Sequence, residues 1–147
     1  MRDYSDPAME ARLRKASKAQ GFNQWFGLDC IAAGGGEVEL EVDLREDHKQ
    51  HHGYVHGGVV SSMADTAAAW AAATLRGDDV VTSNFSFHFL APAVGDKLRA
   101  HARVLRGGRS QITVEAQVFA LDGGGAEKLV GAGLAAIAVL PQKLTDD

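Results

Sequence analysis

The sequence has little of what disulfide-rich, nucleic-acid-binding or membrane proteins require. Its one cysteine, Cys30, permits neither a disulfide nor a cysteine zinc site within the chain. Its 15 lysine and arginine residues, against 19 aspartate and glutamate residues, argue against nucleic acid as a partner. The longest apolar run, over residues 130–140, is too short to span a bilayer, and the N-terminus lacks the apolar core of a signal peptide. We therefore expect a cytoplasmic protein with no membrane contact.

Small residues dominate what is present. Alanine occurs 24 times and glycine 17 times, so that 41 of the 147 residues are one or the other. The length predicts one domain, and the apolar fraction of 46% is ordinary for a globular protein. We divide the chain into an N-terminal helical segment, residues 1–21, and a single domain, residues 22–147. The abundance of small side chains predicts that some backbone segments approach one another closely.

The spacing of apolar residues predicts a helix, two strands, a second helix and four more strands. Residues 8–20 have the helical period, and Gly21 is expected to end that helix. Residues 59–75 are rich in alanine and apolar nearly all round, which predicts a helix buried on most sides. Acidic and apolar side chains alternate in the second strand, so one face should be buried and the other in water. The six predicted strands cover residues 28–32, 37–44, 80–90, 97–106, 110–121 and 127–140.

Turn residues separate these strands and indicate how they connect. Residues 34–36 are all glycine, which predicts a hairpin between the first two strands. The last four strands have the spacing of an antiparallel meander. The fold class that follows is α+β, an antiparallel sheet with a central helix on one face.

Two features of the second helix point to chemistry. Asp65 lies about two turns inside a helix that is otherwise apolar, and a buried carboxylate is costly unless it is paired or used. His56, Gly57 and Gly58 precede the helix, where unpaired N–H groups, accessible glycine backbone and the helix dipole favour a developing oxyanion. The structural alternatives are an aspartate bonded to a nearby hydroxyl and glycines that only form a tight turn.

The spacing of these features predicts that two subunits build one site. Eight residues separate Gly57 from Asp65, which is roughly 12 Å of helix. A reacting carbonyl must lie about 3 Å from both its attacker and its oxyanion donors. One helix cannot place both at the same carbonyl, so an antiparallel pair of helices across a two-fold axis would form two composite sites.

The residues around these features resemble a known family. The motif HGG at residues 56–58, the acid Asp65, LAP at residues 90–92 and GGRS at residues 107–110 are similar to PaaI-like hotdog-fold acyl-CoA thioesterases. The resemblance covers about residues 22–140. It implies a sheet of about six strands wrapped around the long helix, and a homotetramer that is a dimer of dimers. It further implies hydrolysis of acyl-CoA, and we expect no cofactor.

The resemblance also implies roles for individual residues. Asp65 attacks the thioester carbonyl or activates a water molecule, and the Gly57 N–H polarises the carbonyl. Gln50 stands six residues before the histidine of the motif, where the family often has an amide that orients the carbonyl or the water. A hydroxyl near the start of the third strand lies opposite the acid, and both Thr82 and Ser83 are candidates.

A regular strand would place those two hydroxyls on opposite faces. Thr82 would then share its face with the polar residues Asn84, Ser86 and His88, and Ser83 would share its face with three phenylalanines. We favour Thr82 as the partner of the acid.

Other polar residues are candidates for supporting roles. Gly58 adjoins the oxyanion donor, and the resemblance implies that Arg109, and also Arg106, contact the CoA phosphates; the alternative is that both are solvated turn charges. His56 is either part of the catalytic set or holds the turn through a backbone hydrogen bond. The four histidines within residues 48–56 are interpreted as a polar loop rather than a metal site, because no cysteine lies near them.

Three functions fit these residues. The first is a thioesterase, with aryl or medium-chain acyl groups as the expected substrates. The second is a non-catalytic module that binds acyl-CoA. The third, a hotdog hydratase acting on enoyl thioesters, is the least favoured, because such enzymes usually pair the aspartate with a histidine and none follows Asp65 in the helix.

Overall fold

A computed structural model describes residues 2–77 and 79–141 of the chain. Residues 1, 78 and 142–147 lie outside this description, so the structure does not describe the whole of the expected segments 1–21 and 22–147. The described part contains three α-helices, six strands and a short 3-10 turn over Glu46–His48. The helices are α1 (Pro7–Lys18), α2 (Gly21–Phe26) and α3 (Gly57–Arg76), and the strands are β1 (Asp29–Gly34), β2 (Glu37–Asp43), β3 (Val80–Phe89), β4 (Lys97–Gly107), β5 (Gln111–Leu121) and β6 (Glu127–Val139).

The strands form one antiparallel sheet in the order β1-β2-β4-β5-β6-β3. The sheet wraps around α3, which contacts all six strands, and this confirms the expected hotdog architecture. The predicted meander is correct for β4, β5 and β6 but wrong for β3, which pairs with β6 instead of β4. The reason is that α3 carries the chain from β2 to the opposite edge of the sheet, and β4 then returns to the side of β2.

The N-terminal region contains one helix more than expected. The predicted helix is present as α1, whose first turn is stabilised by Pro7 and by the Asp6 carboxylate, which accepts from the Ala8 N–H at 2.9 Å. Gly21, expected to end this helix, instead begins α2, which ends at Gly27 with a φ of 77°. Six residues are too few to show a helical period, so α2 could not be recognised from hydrophobic spacing.

The β1–β2 hairpin turns at two glycines, as predicted. Gly35 and Gly36 have φ values of 57° and 87°, the left-handed region that two-residue hairpin turns require. The alternation in β2 places Val38 and Val42 in the core, but the expectation that its acidic face lies in water is wrong for Glu39, which is only 5% exposed. Arg2 at 3.0 Å and Arg99 at 3.1 Å pair with the Glu39 carboxylate and so compensate its burial.

The long helix is buried through small side chains. Ten of its 20 residues are buried, and six of these are alanine, so the expected burial on most sides is confirmed. Buried alanines on β4 and β5 complement them, which allows the sheet to approach the helix closely. One stripe of the helix remains half-exposed. It consists of Ser62, Asp65, Thr66 and Ala69, at the spacing of a single helical face.

The two edges of the sheet differ. The outer side of β1 is bonded by the N-terminal region: the Asp6 N–H donates to the Ala33 carbonyl at 2.8 Å, and the Arg14 guanidinium donates to the Cys30 carbonyl. On the outer side of β3, by contrast, no segment of the described chain forms a backbone hydrogen bond. Across residues 2–77 and 79–141, no helix has the length and apolar character needed to cross a membrane.

Candidate active site

Asp65 projects from the half-exposed stripe of α3 toward β3. Its side chain is half-buried, and the Thr82 hydroxyl donates a 2.7 Å hydrogen bond to its Oδ1. A hydrogen bond to a charged acceptor is among the stronger side-chain interactions, so it orients the carboxylate relative to the sheet. The structure therefore joins the mid-helix acid and one of the two hydroxyls expected opposite it.

A bulge in β3 decides which hydroxyl this is. The pairing of β3 with β6 shifts by one residue between Thr82 and Asn84, so Thr82 lies on the same face as Phe85 and Phe87 and points toward α3. The expectation that Thr82 shares a face with Asn84, Ser86 and His88 is therefore wrong. Ser83 lies on the exposed side of the bulge and donates to the Ala136 carbonyl at 3.0 Å, away from Asp65.

The start of α3 has the geometry of an oxyanion site. His56 is the N-cap: its Nδ1 accepts from the Gly58 N–H at 2.8 Å, and its carbonyl accepts from the Val59 N–H at 2.9 Å. The Gly57 N–H, in the first helical position, has no acceptor among the described residues. Thus His56 accepts hydrogen bonds from the Gly58 and Val59 N–H groups and holds the turn, while the Gly57 N–H remains available to a ligand.

Gln50 lies in the same cavity as Gly57. This cavity, which we call the Gly57 cavity, has a volume of about 420 Å³, and Val60 and Phe89 also line it. The loop that carries Gln50 is closed by two backbone hydrogen bonds, from the Gln50 N–H to the Tyr54 carbonyl at 2.7 Å and from the Gly53 N–H to the Gln50 carbonyl at 3.0 Å. The structure therefore places the Gln50 amide and the Gly57 backbone on one cavity.

Asp65 borders a different cavity. This Asp65 cavity has a volume of about 280 Å³ and lies between α3 and the N-terminal helices, with Thr66 and Trp70 of α3 among its lining. Asp65 does not line the Gly57 cavity, and Gly57 and Gln50 do not line the Asp65 cavity. Within one chain, Asp65 and Gly57 thus line separate cavities, which agrees with the length of helix between them.

His48 departs from its expected place in a polar loop, because it is fully buried. The rings of Trp25 and Phe26 meet it edge-on at 5.8 Å and 5.4 Å, and its Nδ1 accepts from the Arg45 N–H at 3.3 Å. Its carbonyl accepts from the His56 N–H at 2.9 Å, so His48 fastens the loop to the cap of α3. Burial, and secondly the charge of Arg45, lowers the pKa of His48. Its apolar neighbours on α2 are distant in sequence from the loop and gave no local signal of this role.

The two arginines expected to contact CoA phosphates lie exposed beside the β4–β5 turn. A third cation joins them, because Arg76 at the end of α3 donates to the carbonyls of Gly107 and Gly108 at 3.3 Å and 3.4 Å. Arg76 was not singled out from the sequence, since only the fold brings it to this turn. Arg106 and Arg109 line neither of the two cavities described above.

The remaining candidates are placed without a metal-binding geometry. No group of three or more histidine, cysteine, aspartate or glutamate side chains in the described chain is arranged to hold a metal ion. His51 and His52 are exposed, with ring centroids 4.7 Å apart. Cys30 is buried, and burial raises the pKa of its thiol to about 11, so it is not a thiolate at neutral pH.

Comparisons with known proteins find a matching family model and solved structures with the same fold. The family model for the thioesterase superfamily matches residues 52–127. A solved thioesterase family protein from Silicibacter pomeroyi is 28% identical, with a TM-score of 0.84 over 90% of this chain and 98% of that one. A mutant of the phenylacetic acid degradation protein PaaI from Thermus thermophilus is 26% identical, with a TM-score of 0.72 over 82% and 100%. The Escherichia coli PaaI protein, at 20% identity, shares the fold, with a TM-score of 0.77 over 90% and 94%. No curated protein sequence matches the chain.

Proposed function

Because the chain belongs to the thioesterase superfamily, we propose that it hydrolyses acyl-CoA thioesters to a free acid and CoA. The observation that carries this proposal is the Asp65 carboxylate, held at 2.7 Å by Thr82 on the half-exposed stripe of α3 and bordering a cavity. Thioesters lack strong resonance stabilisation, so a positioned carboxylate and an oxyanion donor form a chemically adequate pair for their cleavage.

In the proposed assembly, each site combines Asp65 of one subunit with Gly57 of its partner. Two observations support this arrangement: the two residues line different cavities in one chain, and the outer side of β3 has backbone groups without partners in the described chain. A two-fold axis beside β3 would pair the two edge strands and bring the exposed stripes of both α3 helices together. The resemblance extends this dimer to a dimer of dimers.

Asp65 acts in this proposal as a general base or as a nucleophile. As a base, it takes a proton from water while the water oxygen bonds to the carbonyl carbon; as a nucleophile, it forms a mixed anhydride that water then hydrolyses. In both routes the carbon–sulfur bond breaks and its electron pair leaves with the CoA sulfur. The Gly57 N–H stabilises the oxyanion, and Gln50 orients the carbonyl or the water.

The nucleotide part of CoA is proposed to lie against the β4–β5 turn. Arg106 and Arg109 supply cations there, and Arg76 both fixes the turn and adds a third. Charge-assisted hydrogen bonds from guanidinium groups suit phosphate, and they leave the acyl end of the substrate to the interior of the dimer.

A thiol-release assay with Asp65→Asn tests the function. We expect kcat to fall by about 10³-fold or more while CoA binding persists, because the substitution removes the base or nucleophile and keeps the side-chain shape. Asp79→Asn, on the exposed turn after α3, is the charge-matched control. Retention of more than roughly a tenth of the parent rate on every cleaved thioester would contradict the role of Asp65. Acyl-CoA binding by the parent without CoA release would instead indicate a non-catalytic module.

A further inference from the structure

We propose that His48 is a positioning residue for the candidate site: its buried ring fixes the loop that carries Gln50 and the helix cap that presents the Gly57 N–H. His48 lines neither the Gly57 cavity nor the Asp65 cavity, so it acts only through other residues. Resting on the proposed function, this role makes the rate of thioester cleavage depend on a side chain that does not touch the substrate.

The loop before α3 is attached to the rest of the chain at few points. Of residues 45–56, only His48 and Val55 have buried side chains. The Val55 N–H also donates to the Ala93 carbonyl at 3.0 Å, so the second half of the loop is fixed to the segment after β3. A segment with few buried contacts opens locally at little cost. The position of the first half of the loop therefore depends on His48.

Backbone hydrogen bonds connect His48 to both functional groups. The His48 carbonyl accepts from the His56 N–H at 2.9 Å, and Gly57 is the next residue along the chain. Gln50 lies two residues after His48, and its N–H donates to the Tyr54 carbonyl at 2.7 Å. A shift of His48 would therefore move the oxyanion donor and the amide together. Displacing such groups by about 1 Å can reduce a rate by about 10²-fold.

The ring of His48 is held from two sides. On the loop itself, the Arg45 N–H donates to His48 Nδ1 at 3.3 Å, and the His48 N–H donates back to the Arg45 carbonyl at 2.9 Å. From α2, the rings of Trp25 and Phe26 pack against it, with centroids 5.8 Å and 5.4 Å away. The Arg45 guanidinium lies 5.0 Å from the centre of the Trp25 ring and donates to the Trp25 carbonyl. Helix α2 thus fixes this turn at both Arg45 and His48.

A histidine at this position is less favourable to bury than a hydrocarbon side chain. Because Nδ1 accepts a hydrogen bond, the proton of the neutral ring is on Nε2. That buried N–H has no hydrogen-bond partner in the described chain, and a buried donor without a partner is destabilising. Leucine would avoid this cost, but it offers no acceptor to the Arg45 N–H. Local costs of this kind are expected at functional sites, and here the hydrogen bond that histidine adds closes the turn before Gln50.

Two substitutions of His48 separate this hydrogen bond from the packing. His48→Leu keeps an apolar side chain in the space and removes the acceptor, whereas His48→Asn keeps an acceptor for the Arg45 N–H. With any thioester that the parent cleaves, we expect His48→Leu to lower kcat by about ten- to a hundredfold and to leave KM within about twofold. The reason is that the oxyanion donor and the amide act most strongly in the transition state. His48→Asn should keep most of the parent kcat.

A loss of stability alone would not produce this pattern. Val114→Ala is the control, because it removes buried volume from the centre of β5, away from the loop, and its kcat should stay within about twofold of the parent. Amide hydrogen exchange gives a second readout that needs no substrate. The His56 N–H should exchange about tenfold faster or more in His48→Leu than in the parent, and at the parent rate in His48→Asn.

The outcomes separate this role from the proposed function. A parent-like kcat in His48→Leu, or equal losses of kcat in His48→Leu and His48→Asn, would overturn the positioning role while the thioesterase stands. If the parent releases CoA from no substrate, the thioesterase and the positioning role fail together.

Trp25→Ala serves as the test if His48→Leu fails to fold. Trp25 is 49% exposed, so its loss is tolerated more easily, and its ring holds His48 from α2. We expect kcat to fall by about threefold or more without a rise in KM. An unchanged kcat in Trp25→Ala would contradict the positioning role.

Discussion

The two edge strands of the sheet differ in whether another segment of the chain covers their outer backbone groups. An edge strand presents unpaired backbone groups, which proteins usually cover or blunt. The outer side of β1 is covered from within the chain, by Asp6 and Arg14 of the N-terminal region. The outer side of β3 receives no such cover from the described residues, although β3 carries Thr82, the partner of Asp65. The covered edge is thus structural, and the bare edge adjoins the candidate chemistry.

The bare edge of β3 matters because the candidate site is incomplete in one chain. A helix of fixed rise holds Gly57 and Asp65 apart, so no side-chain rearrangement can bring the oxyanion donor to the acid. In the proposed dimer, a second copy of the chain against β3 would supply the missing half, whereas a second copy against β1 would not. The predictions below test this contrast between the edges, from the largest expected effect to the smallest.

The largest effect is expected from complementation between two inactive variants. Gly57→Pro removes the free N–H, and it suits the first helical position because His56 already has the extended backbone that precedes proline, with φ −61° and ψ 135°. We expect a loss of about 10²–10³-fold in kcat. Mixed with Asp65→Asn and allowed to exchange subunits, it should recover about a quarter of the parent activity, since half of the dimers then hold one intact site of two.

Gly57→Ala is the control for this experiment. It keeps the N–H and adds a methyl group that meets the exposed Phe89 ring at 3.3 Å, so most activity should persist. A mixture of Gly57→Pro and Asp65→Asn that stays inactive after proven subunit exchange would show that the two residues act within one chain.

The next effect concerns the two hydroxyls at the start of β3. Thr82→Val keeps the branched shape and removes the hydrogen bond to Asp65, and we expect kcat to fall by roughly ten- to a hundredfold, the strength of a bond to a charged acceptor. Ser83→Ala removes the hydroxyl that bonds the Ala136 carbonyl and should leave kcat within about twofold. Equal losses of kcat in the two variants would show that Thr82 is not the specific partner of Asp65.

A smaller effect is expected when a charge is added to each edge strand. Ser86→Lys places a cation on exposed β3, where two-fold pairing would bring like charges together. We expect the dimer dissociation constant, measured by sedimentation, to rise by about tenfold or more, with activity lost on dilution. Ile31→Lys, at a position of β1 that is 37% exposed, should change neither property. Dissociation caused by the β1 variant instead would place the dimer on the covered edge.

The sequence predicted most elements of the fold because their signals are local. The alanine-rich helix, the glycine hairpin and the six strands each have a hydrophobic period or a turn signal that survives in isolation. The order of the strands does not, because whether β3 pairs with β4 or with β6 depends on how α3 crosses the sheet. Helix α2 is too short for a period, and its start at Gly21 has the appearance of a stop.

The residues of the candidate site likewise divide into those that a local pattern identifies and those that depend on the fold. Asp65 stands out because an acid interrupts an apolar helix, and Gly57 because glycines precede the same helix. The face of Thr82 could not be derived from alternation, since a bulge of one residue reverses every face after it. The contribution of Asn23 to the Asp65 cavity and the burial of His48 depend on contacts between residues far apart in sequence, which no local pattern records.

The smallest effect concerns the contribution of the buried His48 to the pH dependence of stability. His48 is buried in the neutral form under α2, and burial lowers its pKa in the folded chain. The unfolded chain takes up this proton near pH 6.5, the ordinary histidine value, so below that pH protons favour unfolding. The free energy of unfolding should therefore be fully retained above pH 6.5 and fall as the pH drops below it, by at most about 1.4 kcal/mol per pH unit for this one proton.

Urea unfolding between pH 7 and pH 5 measures the slope. His48→Asn, whose amide oxygen can replace Nδ1 as the acceptor for the Arg45 N–H, should flatten it, and the exposed His52→Asn should not. An unchanged slope in His48→Asn would show that the loss of stability at low pH does not come from protonation of His48.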